Sequence, residues 1–546
     1  MKGAVDNFDR FGWTAEVIFW MALTFVALSW IQTRHDPALS NDGYQYLSEA
    51  QHLLNEHRLS TSLVYFDVER SHGRIPAPLT TFPPGYPIAI AAFGGQTAGL
   101  EHAGRHVSQF ALMMASGLLA VSLAGMGIGF IHRQLMMLLM VTNATILGYG
   151  VSLISEPLFT LFFAGAVAGT IWIEFRLATG RSFIVPALLT MMAASITCWI
   201  RYAGYFVIAA LFLYALIQWL RFRNRQRTIL LAVATVPFLS SVCLMLRNLE
   251  LAGTWKGGND LVVHKRIVPV LLNYLVSHVH LLLGSHAATF GIWEAVLAVG
   301  ILVLLVMAAA ALFNHLLLPA APHLPKEVPL LLASCIAVYT SIMLYVGVHA
   351  PVSFGGRMFM PLIPLYILLF ACAFSGLDRR LRRKDPRAAN VLTAGLSLAV
   401  IGYAAVNARD LAMPYKPAPH EALASLYAMP AQNGQPMIDW VHRAVPFDEA
   451  ILSEESQGTG FLLERPTVGL TTSEYSNIRW ECETIRPVVD RFHIHYVVLY
   501  RDSSLSEPQP ESSFVSSSVA GHPPCGFAVA AQSPAILVLR NQQTDR

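Results

Sequence analysis

The chain has 546 residues, 54% hydrophobic and only 13% charged, with a mean hydropathy of +0.50. A soluble domain carries about 25% charged residues, so this chain cannot clothe a globular surface, and a bilayer must be the solvent for much of it. The net charge of +3 is too small to recruit nucleic acid, so the cations matter by place rather than by sum.

Trp13 to about Ile31 is apolar and long enough to cross a hydrocarbon core of about 30 Å. No A-x-A-like cleavage site follows it, so it is expected to be the first transmembrane helix; a late-cleaved signal anchor is the alternative. Further apolar stretches lie near 107–130, 134–151, 156–175, 183–200, 203–220, 228–246, 289–313, 328–348, 358–376 and 389–406. The expected fold is therefore a polytopic α-helical membrane protein of about eleven transmembrane helices. The stretch 87–99 is too short to span and suits a re-entrant or interfacial segment. No internal repeat is visible, which counts mildly against a transporter.

Loop cations set the orientation. With the N-terminus cytoplasmic, the inner loops hold Arg133, the pair Arg176 and Arg181, the run Arg221 to Arg227, and the run Arg379 to Arg387. The outer parts are then a first loop of about 33–106, a loop of about 247–289, and everything after 407. Near 411 the character changes. Segments 450–453, 495–500 and 535–540 read as short strands, and 419–428 and 435–444 as short helices. The expected domains are 1–410 in the membrane and 411–546 as an extramembrane α/β domain. Cys482 and Cys525 are its only cysteines; in an oxidising compartment they can pair, and two free thiols are the alternative. The other four cysteines lie in apolar helices and suit packing. His493 and His495 have the look of a metal-binding H-x-H, but no third ligand follows at a telling spacing.

Unusual polar groups collect on the outer side of this topology. Asp42 precedes an amphipathic stretch with Tyr46, Leu47, Ala50, Leu53 and Leu54 on one face, which places it near a helix N-cap. Pro83, Pro84 and Pro87 around Gly85 stiffen a turn, and Tyr86 beside them suits an interfacial anchor. Ser155 and Glu156 before Pro157 form a good helix start. Arg201 sits between two apolar segments with almost no loop, and Arg357 opens a late helix; for each, snorkelling to the surface is the plain reading. Jointly, two acids and two bases from four outer boundaries suit a cavity that binds an anionic headgroup and activates a hydroxyl. Arginines would stabilise the phosphate on which charge grows, and a carboxylate would take the acceptor's proton. If the donor is a sugar phosphate, direct displacement with a single base would invert its anomeric centre.

At NDGYQYLSEA, FPPGYP, SEPLF and GGRMFMPLIPL the chain resembles the GT-C glycosyltransferases, of the bacterial protein O-mannosyltransferase and aminoarabinose-transferase type. The resemblance implies a bacterial inner-membrane enzyme with a periplasmic C-terminal domain. It implies a polyprenyl-phosphate-linked sugar as donor and a lipid, glycan or protein as acceptor. Asp42 matches the family's catalytic acid. Arg357 and Arg201 match its phosphate-binding cations, and Glu156 a recurrent acidic position. Gly43 stands where the mannosyltransferases have a second acid, which argues against protein O-mannosylation. No cofactor is implied, and a divalent metal stays open. The competing readings are a transporter or flippase of lipid-linked sugars, an O-antigen-type ligase or polymerase, and a non-catalytic membrane scaffold.

Overall fold

The computed structural model describes residues 2–34, 39–65, 68, 70–94, 99–255, 257, 264–283, 327–350, 355–412, 435–453, 456–470, 480–500, 513–533 and 536–543. The expected segments 289–313 and 419–428 lie outside the described residues.

In chain order the helices are α1 (Lys2–Arg34), α2 (Asn41–Glu56), α3 (Gly85–Gly94), α4 (Leu100–Gly125), α5 (Phe130–Val141), α6 (Ala144–Val151), α7 (Glu156–Ala178), α8 (Ile184–Ile200), α9 (Gly204–Phe222) and α10 (Arg225–Ala252). Then follow α11 (Ile267–Leu283), α12 (Glu327–His349), a 3-10 turn (Gly356–Leu362), α13 (Ile363–Lys384), α14 (Pro386–Ala412), α15 (Gln435–Ala444), α16 (Ser456–Leu463), α17 (Cys482–Phe492) and α18 (Ser513–Val519). Among the described residues eight helices are long and apolar enough to cross a membrane, or nine if the bent pair α5–α6 is one span. The chain divides into two compact units: Met1–Asp36, Arg105–Cys243 and Val263–Pro414 form one, and Pro37–Gly104, Leu244–Val262 and Tyr415–Arg546 form the other.

The first unit is the helical one. Its interior is a single apolar cluster running from Trp20 and Leu28 through Phe159 and Phe163 to Tyr339, Phe359 and Leu365. Large apolar residues such as Leu188, Leu239 and Leu398 point outward, as lipid-facing positions do. The stretch 134–151 is broken, not straight. Its halves bend by 56° at Thr142–Asn143. Backbone groups freed inside a membrane need partners. Asn143 supplies them: its Oδ1 accepts from the Ile146 amide at 2.8 Å, and its Nδ2 donates to the Leu281 carbonyl and the Tyr403 hydroxyl. Asn407 accepts from the Ala144 amide. Within the expected outer loop of 247–289, Ile267–Leu283 form an apolar helix of 17 residues, α11, which was not anticipated from the sequence.

A buried ion pair fastens three helices of this unit. Glu174 on α7 accepts two hydrogen bonds from the Arg227 guanidinium on α10 and one from the Tyr214 hydroxyl on α9, the last at 2.6 Å. Glu174 is 1% exposed. Removing one partner of such a pair strands the other charge. Glu174→Ala is therefore expected to lower stability by about 3–5 kcal/mol, and Tyr214→Phe by about 1 kcal/mol. Thermal unfolding of the full chain in detergent checks both.

The second unit is built on a six-stranded sheet. Its strands are β2 (Leu63–Val64), β4 (Ile451–Ser453), β5 (Thr467–Gly469), β6 (Tyr496–Tyr500), β7 (Phe527–Gln532) and β8 (Ile536–Asn541), in the order β2-β5-β4-β6-β8-β7. A separate hairpin-like pair, β1 (Ser60–Thr61) and β3 (Ala77–Pro78), is antiparallel. Strands β2, β5, β4 and β6 run parallel, and β8 and β7 are antiparallel. The three strands expected from the sequence are β4, β6 and β8. The edge strand β2 comes from the first loop, and Val64 and Ala77 share one core with Leu452, Val468, Trp480 and Val497. The unit that carries the C-terminal region therefore includes loop residues of 37–104. Cys482 and Cys525 pair, tying the start of α17 to the approach to β7. His493 ends α17 in a left-handed conformation and His495 meets Glu449.

Gly460 sits where α16 crosses the sheet edge. A Cβ there would lie 2.4 Å from Leu63 Cδ2 and 2.5 Å from Thr467 Oγ1, so only glycine lets α16 lie this close. The same helix packs on α2, with the Phe461 and Tyr44 rings 5.2 Å apart. The C-terminal sheet thus braces the helix that bears Asp42.

Candidate active site

In the helical unit, three of the expected residues converge. Glu156 begins α7 and is 1% exposed. Arg201 Nη1 lies 2.8 Å from Glu156 Oε1, and Arg357 Nε lies 3.6 Å from the same oxygen. The helix starts where expected, with Ser155 as its N-cap residue, but the Ser155 side chain makes no capping bond. Its hydroxyl accepts from Arg201 Nη1 at 2.8 Å instead. Ser155 and Glu156 together orient one guanidinium.

Two local devices hold the arginines. Arg201 follows α8 in extended backbone, and α9 begins three residues later at Gly204. A Cβ on Gly204 would lie 2.2 Å from the Cys198 amide nitrogen and 2.3 Å from the Thr197 carbonyl carbon. Backbone cannot yield as a side-chain tip can. Gly204→Ala is expected to displace Arg201 and to lower both thermal stability and activity, which unfolding and transfer assays on the same preparation would record. Arg357 stands on the 3-10 turn. Tyr339, 2% exposed on α12, donates its hydroxyl to the neighbouring Met358 carbonyl at 2.8 Å. The Phe359 ring packs against Tyr274 and His278 of α11, with centroids 4.8 and 4.2 Å away. Tyr339, Tyr274 and His278 act through backbone and ring contacts, and they carried no polar pattern that would have singled them out.

One buried carboxylate faces two guanidiniums. The Arg201 and Arg357 side chains are 21% and 31% exposed. Fixed, partly exposed guanidinium groups are of the type that suits a phosphate.

In the second unit, Asp42 lies in the first turn of α2 and is half-buried. It is not the N-cap; Ser40 is, accepting from the Gly43 amide at 3.1 Å. Capping therefore does not account for Asp42. Tyr86 also departs from its expected place as an interfacial anchor. It is 0% exposed, its hydroxyl donates to the Gly104 carbonyl at 3.0 Å, and its ring meets Tyr46 at 5.0 Å. Tyr46 in turn meets Phe82. The proline-stiffened turn is thus clamped onto α2 by aromatic rings. Deeper along α2, burial pushes the Glu49 carboxyl up to about 8, against the pull of Arg247. Arg247 donates to the Leu79 carbonyl, just before that turn. Glu49 and Arg247 were not anticipated; the orphaned carboxyl shows only once burial is known. Among the described residues no three His, Cys, Asp or Glu side chains are grouped to hold a metal ion.

No family model matches the sequence, and no curated protein sequence matches it. Solved structures do match. The apo structure of ArnT from Cupriavidus metallidurans is 11% identical, with a TM-score of 0.55 over 97% of this chain and 98% of that one. ArnT bound to undecaprenyl phosphate aligns over the same shares at 12% identity and a TM-score of 0.50. The archaeal oligosaccharyltransferase AglB from Archaeoglobus fulgidus, in complex with an inhibitory peptide and a dolichol-phosphate, is 10% identical with a TM-score of 0.53, over 88% of this chain and 69% of that one. At such identities the likeness is one of fold: a multi-helix part with an α/β region at the C-terminal end, shared with these solved structures.

Proposed function

We propose that the protein moves a sugar from a polyprenyl-phosphate donor to an acceptor hydroxyl, with inversion at the anomeric carbon. The observation that carries this is the convergence of Arg201 and Arg357 on the single buried carboxylate of Glu156. In the reaction the bond from the anomeric carbon to the phosphate oxygen breaks, and the lipid phosphate leaves with the electron pair. The two guanidiniums, held by Glu156, stabilise that growing charge. Asp42 takes the acceptor's proton as its oxygen attacks from the opposite face. Tyr86 keeps the proline-stiffened turn seated on the Asp42 helix. Solved relatives in fold hold undecaprenyl phosphate and a dolichol-phosphate, which supports a lipid phosphate as leaving group.

The orientation follows from the cations. The runs Arg221 to Arg227 and Arg379 to Arg387 favour the cytoplasmic side, which leaves α2 and the C-terminal sheet in the periplasm of a bacterial inner membrane. The Cys482–Cys525 bond suits that compartment. The acceptor is a lipid, glycan or protein hydroxyl.

The test is equilibrium binding of polyprenyl phosphate, without sugar, to the purified full chain. Wild type is expected to bind it, and Arg357→Ala to bind it about tenfold or more weakly, the loss of one charge-assisted contact. Equal binding by both proteins would contradict the phosphate role of Arg357.

A further inference from the structure

The second unit holds a cleft of about 570 Å³ along the half of α2 remote from Asp42. That volume lies within the usual range of small-molecule sites. Ser48, Gln51, His52, Asn55 and Glu56 line it from α2, and steps of three and four residues put them on one face of the helix. Ser62, which joins β1 to β2, lines it as well. Three of these side chains form a hydrogen-bonded series. Ser62 Oγ lies 2.6 Å from His52 Nε2, and His52 Nδ1 lies 2.8 Å from Glu56 Oε1. An ionised carboxylate only accepts, so Nδ1 carries the imidazole proton and donates to Glu56. Nε2 is then bare and accepts from the Ser62 hydroxyl.

The backbone of Ser62 is pinned on both sides. Its amide donates to Ser48 Oγ at 3.0 Å, and its carbonyl accepts from the Thr467 amide at 2.8 Å. The hydroxyl is thereby fixed against His52. Helix stability does not explain the His52–Glu56 pair. Glu56 is the last residue of α2, the end at which the macrodipole disfavours a carboxylate. A base four residues before an acid is also the weaker order for a helical pair. A hydroxyl, a base in reach of its proton and an acid that orients the base are the parts of a nucleophilic serine. The rest of the cleft narrows the substrate. Glu56, Glu101 and Glu464 bring carboxylates to it, and Arg465 spends its guanidinium on the carbonyls of His442, Val445, Leu463 and Glu464. An anionic ester such as a phosphate would be repelled. The exposed rings of Phe447 and Phe461 give an apolar wall. A neutral carboxylic ester fits.

We propose that this cleft is a second catalytic site, a serine esterase for neutral carboxylic esters, with Ser62 as nucleophile, His52 as general base and Glu56 positioning His52. It goes beyond sugar transfer and does not rest on it. Ser62 Oγ attacks the carbonyl carbon of the ester while His52 Nε2 takes the hydroxyl proton. The negative charge on the carbonyl oxygen faces the side-chain amides of Gln51 and Asn55, which are of the donor type that stabilises it. The bond from the acyl carbon to the alcohol oxygen breaks, and the alcohol leaves with the electron pair and the proton held by His52. Water then attacks the acyl-serine and gives a proton to His52, which returns it to Ser62 Oγ as the carboxylic acid departs. Ester and water are consumed, and acid and alcohol are formed.

The test treats the purified full chain with a fluorophosphonate, which attaches to an activated serine with loss of fluoride, and locates the adduct by peptide mass mapping. Hydrolysis of p-nitrophenyl butyrate is followed on the same preparations. Wild type, Ser62→Ala, His52→Ala and Glu56→Gln are compared at matched folded protein, judged by thermal unfolding. Wild type is expected to be labelled on Ser62 and to hydrolyse the ester. Ser62→Ala and His52→Ala should lose both, down to the background of the ester in buffer. Glu56→Gln should lower kcat by about 10²-fold or more, because the amide no longer fixes the tautomer of His52, and leave the KM for the ester unchanged. A wild-type Ser62 that stays unlabelled, or labelling and hydrolysis that are equal in His52→Ala, would overturn the assignment and reduce the three residues to a tie between α2 and the sheet. Labelling of Ser62 without turnover of the ester would overturn the hydrolytic step. Sugar transfer is not among these readouts, so failure here leaves the transferase reading standing.

Discussion

Asp42→Asn is expected to lower the rate of sugar transfer by about 10²–10⁴-fold, the usual contribution of a general base. The substitution keeps the side chain's size and its place in the first turn of α2, and the helix keeps its cap because Ser40 supplies it. Donor binding should persist, since the proposed phosphate-holding groups, Arg201 and Arg357, are untouched. The measurement is transfer and donor binding on the same preparation. Transfer equal to wild type would reduce Asp42 to an acidic residue favoured by the helix macrodipole.

Arg201 and Arg357 should separate in their effects. Arg201 lies at 2.8 Å from Glu156 and also donates to Ser155, whereas Arg357 lies at 3.6 Å. Arg201→Ala takes the nearer cation from a carboxylate that is 1% exposed. It is expected to cost about 3–5 kcal/mol in stability and about 10²–10³-fold in rate. Arg201→Lys should restore part of the stability, because one nitrogen, Nη1, meets both Ser155 Oγ and Glu156 Oε1. Arg357→Ala should cost much less stability and lose chiefly phosphate affinity. Thermal unfolding and polyprenyl phosphate binding, measured on all three variants, check the separation. Equal stability losses for the two arginines would mean that both are structural partners of Glu156.

The legible part of this protein was the part written in charge-free runs and in their flanks. The helices from α4 to α10 appear where apolar stretches of membrane length predict them. The grouping of Glu156, Arg201 and Arg357 also followed, because loop arginines fix which helix ends share a side. Helix α11 was missed. Its His278, His280 and Asn273 made it look like outer loop, yet His278 is buried against Phe359 and Tyr366. The break at Asn143 was invisible because its partners Leu281, Tyr403 and Asn407 lie far along the chain. Strand β2 has two residues and no period to read; only its pairing with Thr467 and Val468 defines it. That pairing is what makes the C-terminal region a brace for the Asp42 helix. The cap of α2 was misplaced by two residues because Ser40 and Asp42 are equally good N-cap types.

The central claim is that a lipid-linked sugar is transferred, not merely moved. The most direct measurement supplies labelled polyprenyl-phosphate sugars to membranes holding the full chain, with native membrane extract as acceptor, and follows the label into acceptor and across the bilayer. The account predicts label in the acceptor with wild type, and none above background with Asp42→Asn at matched protein level. Label that crosses the bilayer on its lipid, with none reaching any acceptor, would contradict it and favour a transporter.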